Sequence, residues 1–167
     1  VATLFFNTQD ATLKDLNVRT ALQLAIDRGD LVQQLGHITA LQTPFPSFES
    51  YSTSTQLANI DEARRLLDAS GWKLDEVTGE RFLQPVPAPP RTTSRTRTAV
   101  ATTTVEVFST STPLTVSLLV PAQGDLPLAA DYLKRRWSLL GARVSVELLD
   151  RDQIMQRSLT DHTSQAV

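Results

Sequence analysis

Two histidines, His37 and His162, are the first residues to test for chemistry. They lie far apart, with no acidic neighbour at ligand spacing and no HExxH-like pattern, so they read as loop histidines and not as metal ligands. Cysteine is absent, which excludes disulfides, thiolate metal sites and a cysteine nucleophile. The six glycines, at 29, 36, 71, 79, 124 and 141, form no GxGxxG, Walker loop or GxSxG elbow. Carboxylates pair at Asp61/Glu62 and Asp150/Asp152, but both pairs fall where helices should begin, and capping explains them ahead of acid–base work. Arg91, Arg95 and Arg97 cluster without the interleaved aromatics that single-strand nucleic-acid binding needs. No catalytic, cofactor-binding or metal-binding residue emerges. The candidates left for ligand contact are Pro46, Phe48 and Tyr51, in a proline-stiffened aromatic loop, although such loops more often pack on their own domain.

The elements that must position such a loop come from a chain of 167 residues, 41% hydrophobic and 20% charged, with net charge −2. That is one globular domain's worth of chain with material for a real core. The charge balance excludes a strongly basic nucleic-acid binder, and no apolar run is long enough to span a membrane. Threonine and serine number 21 and 13, and twelve of them fall between Gln84 and Pro113 with five of the nine prolines. This stretch is too polar to pack as core, and 84–113 reads as an insertion. The chain opens on a strand-like segment without an initiator Met and closes on a polar tail. Both ends read as cut from a longer polypeptide.

Leu4-Phe5-Phe6 suits a buried strand. Gln9 to Lys14 reads as a polar turn, and Asp15 as the cap of a helix with apolar Leu16, Ala21, Leu22, Leu24, Ala25 and Ile26. Asp30 can cap a short helix, Leu31 to Leu35, closed by Gly36. Asn59, with Glu62 three residues on, predicts a capping box. Ala63, Leu66 and Leu67 form its helix's stripe, Gly71 stops it, and Trp72 folds back as core. An exposed turn and short strand are expected over 73–83, and a strand or hairpin arm over 103–108. The best-patterned region is 114–149. Leu114, Val116, Leu118 and Val120 alternate as a strand. Leu126, Ala129, Ala130, Leu133, Trp137 and Leu140 form a helical stripe that leaves Lys134, Arg135 and Arg136 outside it. Ala142, Val144, Val146 and Leu148 alternate again, which predicts parallel strands with a right-handed helical crossover. Asp150 should cap a last helix through Leu159. The order implies α/β or α+β, a mixed sheet with packed helices.

Three segments in order carry a family resemblance: VRTALQLAIDRGDLV (Val18 to Val32), NIDEARRLLDASGW (Asn59 to Trp72), and LTVSLLVP followed by AADYLKRRWSLLGARVSVELLDRDQI (to Ile154). They resemble the "VRxAxxxAIDR" helix, the "YDPxxAxxLLxxAGW" helix and the strand–helix–strand ending "LxxxGIxVxxxxxD" of extracellular solute-binding proteins, family 5, the peptide/nickel class of ABC importers. Asn59-Ile60 stands where the family usually has Asp-Pro, and Ala142 where it has Ile. The family passes from the Gly-Trp turn to the next strand more directly, which again marks 84–113 as inserted.

The resemblance implies a middle-to-C-terminal fragment of one lobe of a two-lobed periplasmic-binding-protein-like fold, spanning 1–167. It further implies part of the component that captures peptides or similar solutes outside the membrane, in the periplasm or lipid-anchored at the cell surface, and delivers them to permease subunits. No catalysis, cofactor or metal is implied, and nucleic acid is not an expected partner. The competing reading is a sensory or protein-interaction module derived from the same lobe and no longer transporting. An enzyme is the third, disfavoured because no nucleophile–base pair is found.

Overall fold

The computed structural model describes residues 3–36, 57–84, 112–157 and 165–167. Its first helix, α1 (Leu16–Leu24), starts where the Asp15 carboxylate accepts from the Asn17 N–H. Val18, Ala21, Leu22 and Ala25 are wholly buried on one side, while Leu16, expected in the apolar set, is exposed. The polar turn before it contains a core residue: Asp10 Oδ1 accepts from the N–H groups of Thr12 and Leu13 (2.8 and 3.0 Å), folding Leu13 inward to full burial.

Helix α2 (Arg28–Leu35) begins three residues earlier than expected. Asp27, not Asp30, is its N-cap, accepting from the Asp30 N–H at 3.0 Å, and Asp30 moves into the first turn. Gly36 closes it in the left-handed conformation, φ 74°. Helix α3 (Ile60–Ala69) is capped by Asn59 Oδ1 on the Glu62 N–H. The other half of the expected box gives way to a competing bond, because the Asn59 N–H goes to the Leu24 carbonyl (2.8 Å) and Glu62 grips Arg65 instead (2.6 and 2.8 Å).

The residues after Gly71 form a hairpin, β1 (Trp72–Leu74) antiparallel to β2 (Arg81–Leu83), and β3 (Thr112–Pro113) adds to β2 with Leu83 opposite Thr112. The last two residues of the stretch read as inserted therefore belong to this sheet. Thr103 to Phe108 lie outside the described residues.

Strand β4 (Thr115–Pro121) and strand β5 (Arg143–Leu149) run parallel in register from Thr115–Arg143 to Pro121–Leu149, joined through helix α4 (Leu126–Ser138). Asp125 sits at the N-cap of α4 and Pro127 in its first turn, where a missing N–H costs nothing. Helix α4 packs on both strands. Leu148, expected inside, is exposed, and Leu149 is buried in its place beneath helix α5 (Arg151–Met155) with Leu119 and Ile154. The final helix was expected through Leu159; residues 158–164 lie outside the described set.

At the other edge of β4, Ala166 pairs parallel with Leu118 and antiparallel with Phe6. Bonds from Phe5 N to Val167 O (2.8 Å) and back (3.0 Å) complete a mixed pairing. Leu4-Phe5-Phe6 is thus strand-like as expected, but not buried throughout: Leu4 and Phe6 face the core while Phe5 is exposed, because successive side chains alternate. The architecture is α/β, with helices packed on mixed strands.

One core joins these parts: Val18, Leu22, Leu67, Trp72, Leu114, Val116, Trp137 and Leu140 share one buried cluster, and Phe6 tilts against the Trp137 ring at 6.2 Å. Helix α1 ends without a glycine. Its last carbonyls, which a helix leaves without internal partners, become docking points instead. Leu22 O accepts from Trp137 Nε1, Leu24 O from Asn59 N, and Ala25 O from Arg136 Nε, at 2.9, 2.8 and 2.9 Å.

Candidate functional site

Pro46, Phe48 and Tyr51, the candidate ligand-contact residues, lie outside the described residues, as do His37, His162, Arg91, Arg95 and Arg97. What the structure places is the chain on either side of residues 37–56. It leaves at Gly36, the end of α2, and the chain is fixed again at Asn59, whose N–H is tied to the end of α1.

The departure point is set by α4. The Tyr132 hydroxyl, on a side chain only 2% exposed, donates to the Asp27 carbonyl at 2.9 Å, just before α2 begins. The Arg136 guanidinium sits 6.0 Å over the Tyr132 ring while donating to Ala25 O. Further along α2, Arg135 donates to Gln34 Oε1 at 3.1 Å, and Gln34 donates to Asp30. Burial pushes the Tyr132 phenol above its ordinary pKa, with the Arg136 charge opposing, so the hydroxyl keeps its proton to donate at neutral pH. Sequence reasoning missed Tyr132 and Arg136. Both lie off the Leu126–Leu140 stripe, and their partners are main-chain carbonyls, which leave no mark on side-chain spacing. The cationic end of α4 was visible as Lys134-Arg135-Arg136, but not its docking role.

A second polar centre holds the hairpin. Arg81, 2% exposed, donates to Leu140 O (2.8 Å), to Trp72 O (2.5 Å) and to Asp68 Oδ1 (2.6 Å). Its own main chain donates to Gly141 O and accepts from Leu114 N, both at 2.8 Å, so β2 bridges the α4–β5 turn to the start of β4. Gly141 must be glycine twice over: its φ is 83°, and a Cβ there would sit 3.0 Å from Arg81 Cγ, Gly79 O and Leu74 Cδ1. Nearby, the hydrogen bond from Arg143 (2.6 Å) holds the Glu80 carboxyl below its ordinary range. In the hairpin turn, the Val77 N–H and then the Thr78 hydroxyl do the same for Asp75.

The two carboxylate pairs sit at helix starts. Glu62, held low by its bond from Arg65, and Asp61, 3.9 Å from Arg64, occupy the first turn of α3, while Asp150 and Asp152 open α5. Among the described residues no three His, Asp or Glu side chains converge to hold a metal ion. No described helix is long and apolar enough to cross a membrane. The described polar centres are joints between elements, in which guanidinium, indole and phenol donors satisfy carbonyls.

Residues 1–166 match the family model of bacterial extracellular solute-binding proteins, family 5 (middle), and the chain belongs to that family. Among solved structures, it is similar to NikA from Brucella suis in complex with Fe(III)-EDTA, at TM-score 0.70 and 18% identity, covering 98% of this chain and 28% of that one. It is similar to the oligopeptide-binding protein AppA from Bacillus subtilis in complex with a nonapeptide, at TM-score 0.69 and 15% identity, covering 98% and 29%. NikZ from Campylobacter jejuni in complex with Ni(L-His) shares TM-score 0.66 and 18% identity, covering 98% and 28%. At these identities the likeness is one of fold. The chain spans under a third of the length of each of those proteins. No curated protein matches the sequence.

Proposed function

We propose that this chain is a lobe-forming part of the substrate-binding component of an ABC importer. In that reading it captures peptides or similar small solutes, metal chelates among them, outside the membrane and delivers them to permease subunits. The observation that carries the reading is the family match across residues 1–166. Structures of the same fold holding a nonapeptide and metal complexes support it. The family is one of extracellular binding proteins, which favours gripping cargo over transforming it. No observation favours the sensory alternative.

The mechanism follows from two-lobed closure. A solute held between lobes stabilises the closed form only by the affinity difference between open and closed states. The joints at Trp137 and Arg81 tie α1, α4 and the β1–β3 hairpin sheet into one core, which would move as a body on closure. Pro46, Phe48 and Tyr51 remain our candidates for ligand contact. The stretch 84–113 remains our candidate insertion into this lobe; its last two residues form β3, which pairs with β2. Calorimetry tests the reading. The isolated chain, lacking a facing lobe, should bind oligopeptides with a Kd no tighter than about 1 mM, a free energy of only about 4 kcal/mol. The full-length gene product should bind its solute far more tightly. Micromolar binding by the isolated chain would overturn the one-lobe reading.

A further inference from the structure

Helices α1 and α2 are consecutive and of similar length, nine and eight residues, yet they are held in different ways. Helix α1 buries Val18, Ala21 and Leu22 completely, whereas α2 buries no residue. Among the described residues, the side-chain hydrogen bonds that reach α2 and its N-cap from the body come from α4. Tyr132 donates to the Asp27 carbonyl at the hinge end, and Arg135 donates to Gln34 at the far end. Arg136 closes off the Ala25 carbonyl at the end of α1, so the connection between the helices is clamped on both sides of Ile26. Local opening is cheapest where few apolar contacts must be broken. The Tyr132 side chain is itself buried, and its bond to the half-buried Asp27 residue is part-buried, so breaking it need not open the core.

We propose that α2 is a releasable arm, hinged at Ala25–Asp27, whose docked population is set by the Tyr132 hydroxyl acting as a latch on the Asp27 carbonyl. The arm opens as a unit while α1, α3 and α4 stay folded. Because Gly36 ends the arm, undocking moves the point from which the chain leads toward Pro46, Phe48 and Tyr51. The inference stands on the contacts of α2 alone and does not depend on the solute-binding role.

Amide hydrogen exchange on the whole chain, read by mass spectrometry of peptides covering α1, α2 and α4, tests it. In the unmodified protein, α2 amides should exchange well ahead of those in the buried halves of α1 and α4. Tyr132→Phe keeps the ring and removes the latch, and should speed α2 exchange roughly fivefold, the factor for one ordinary hydrogen bond, with α1 and α4 unchanged. Arg135→Ala should give a smaller rise confined to α2. Exchange of α2 in step with α1 and α4 would overturn the proposal. So would an equal acceleration of all three helices by Tyr132→Phe, since it would show that α2 leaves only when the domain unfolds.

Discussion

Among the described residues Trp137 and Arg81 are the two largest fully buried side chains, and each binds distant parts of the chain together by donating to main-chain carbonyls. They differ in what surrounds them. Trp137 belongs to a cluster of leucines, valines and alanines, and its indole N–H donates to Leu22 O. Arg81 spends its guanidinium on two carbonyls and a carboxylate, and its main chain on Gly141 O in the α4–β5 turn and Leu114 N just before β4. The first junction is held by volume, the second by directed hydrogen bonds. A domain can therefore close its core with a charged residue wherever carbonyls left over from turns point inward, provided that each donor is matched.

The comparison can be broken by substitution. Trp137→Ala should cost most, about 3–5 kcal/mol in urea unfolding, because it empties the centre of the core and also strands Leu22 O. Trp137→Phe should recover much of that loss, since the ring volume largely remains. At Arg81 the pattern should differ. Arg81→Met should cost about 3 kcal/mol, and Arg81→Lys should recover little of it, because an ammonium cannot reach three acceptors set in a guanidinium's fork. A lysine variant of unchanged stability would erase the distinction between the junctions.

The smallest effect concerns the ion pair beside Arg81. Glu80 is held below the ordinary carboxyl range by Arg143, so the folded state takes up its proton less readily than the unfolded chain. Whatever the pair contributes is complete above the unfolded carboxyl's pKa and is lost as pH falls through the lower, folded value. Urea midpoints of Glu80→Gln should therefore fall less steeply in acid than those of the parent protein. Identical acid slopes would show that the pair is mere surface decoration.

This contrast also explains what was legible in the sequence. The Trp137 stripe, both parallel strands, the Asn59 and Asp15 caps and the Gly71 stop follow from spacing, because apolar burial and capping leave periodic signatures. Arg81 stands in a short, half-exposed hairpin, and Tyr132 and Arg136 stand off their helix's stripe. Their partners are carbonyls, which every residue carries, so nothing in the order of side chains marks them. Leu13 was hidden for a related reason: an aspartate turn, not an apolar run, puts it in the core. The start of α2 was misplaced because two aspartates, Asp27 and Asp30, compete to cap it, and only the fold decides between them. The candidate ligand contacts rested on composition alone, the weakest of these signals.

The rung on which Leu83 faces Thr112 has a practical corollary. Both limits of residues 84–111 are fastened to one another by the sheet, so whatever length of chain joins them, the ends are already held together. Doubling such a connection costs only about 0.6 kcal/mol of closure entropy. That makes the rung a graft point, where a short Asn-Gly turn, an affinity tag or a fluorescent reporter could be exchanged for the natural sequence with the fold kept intact.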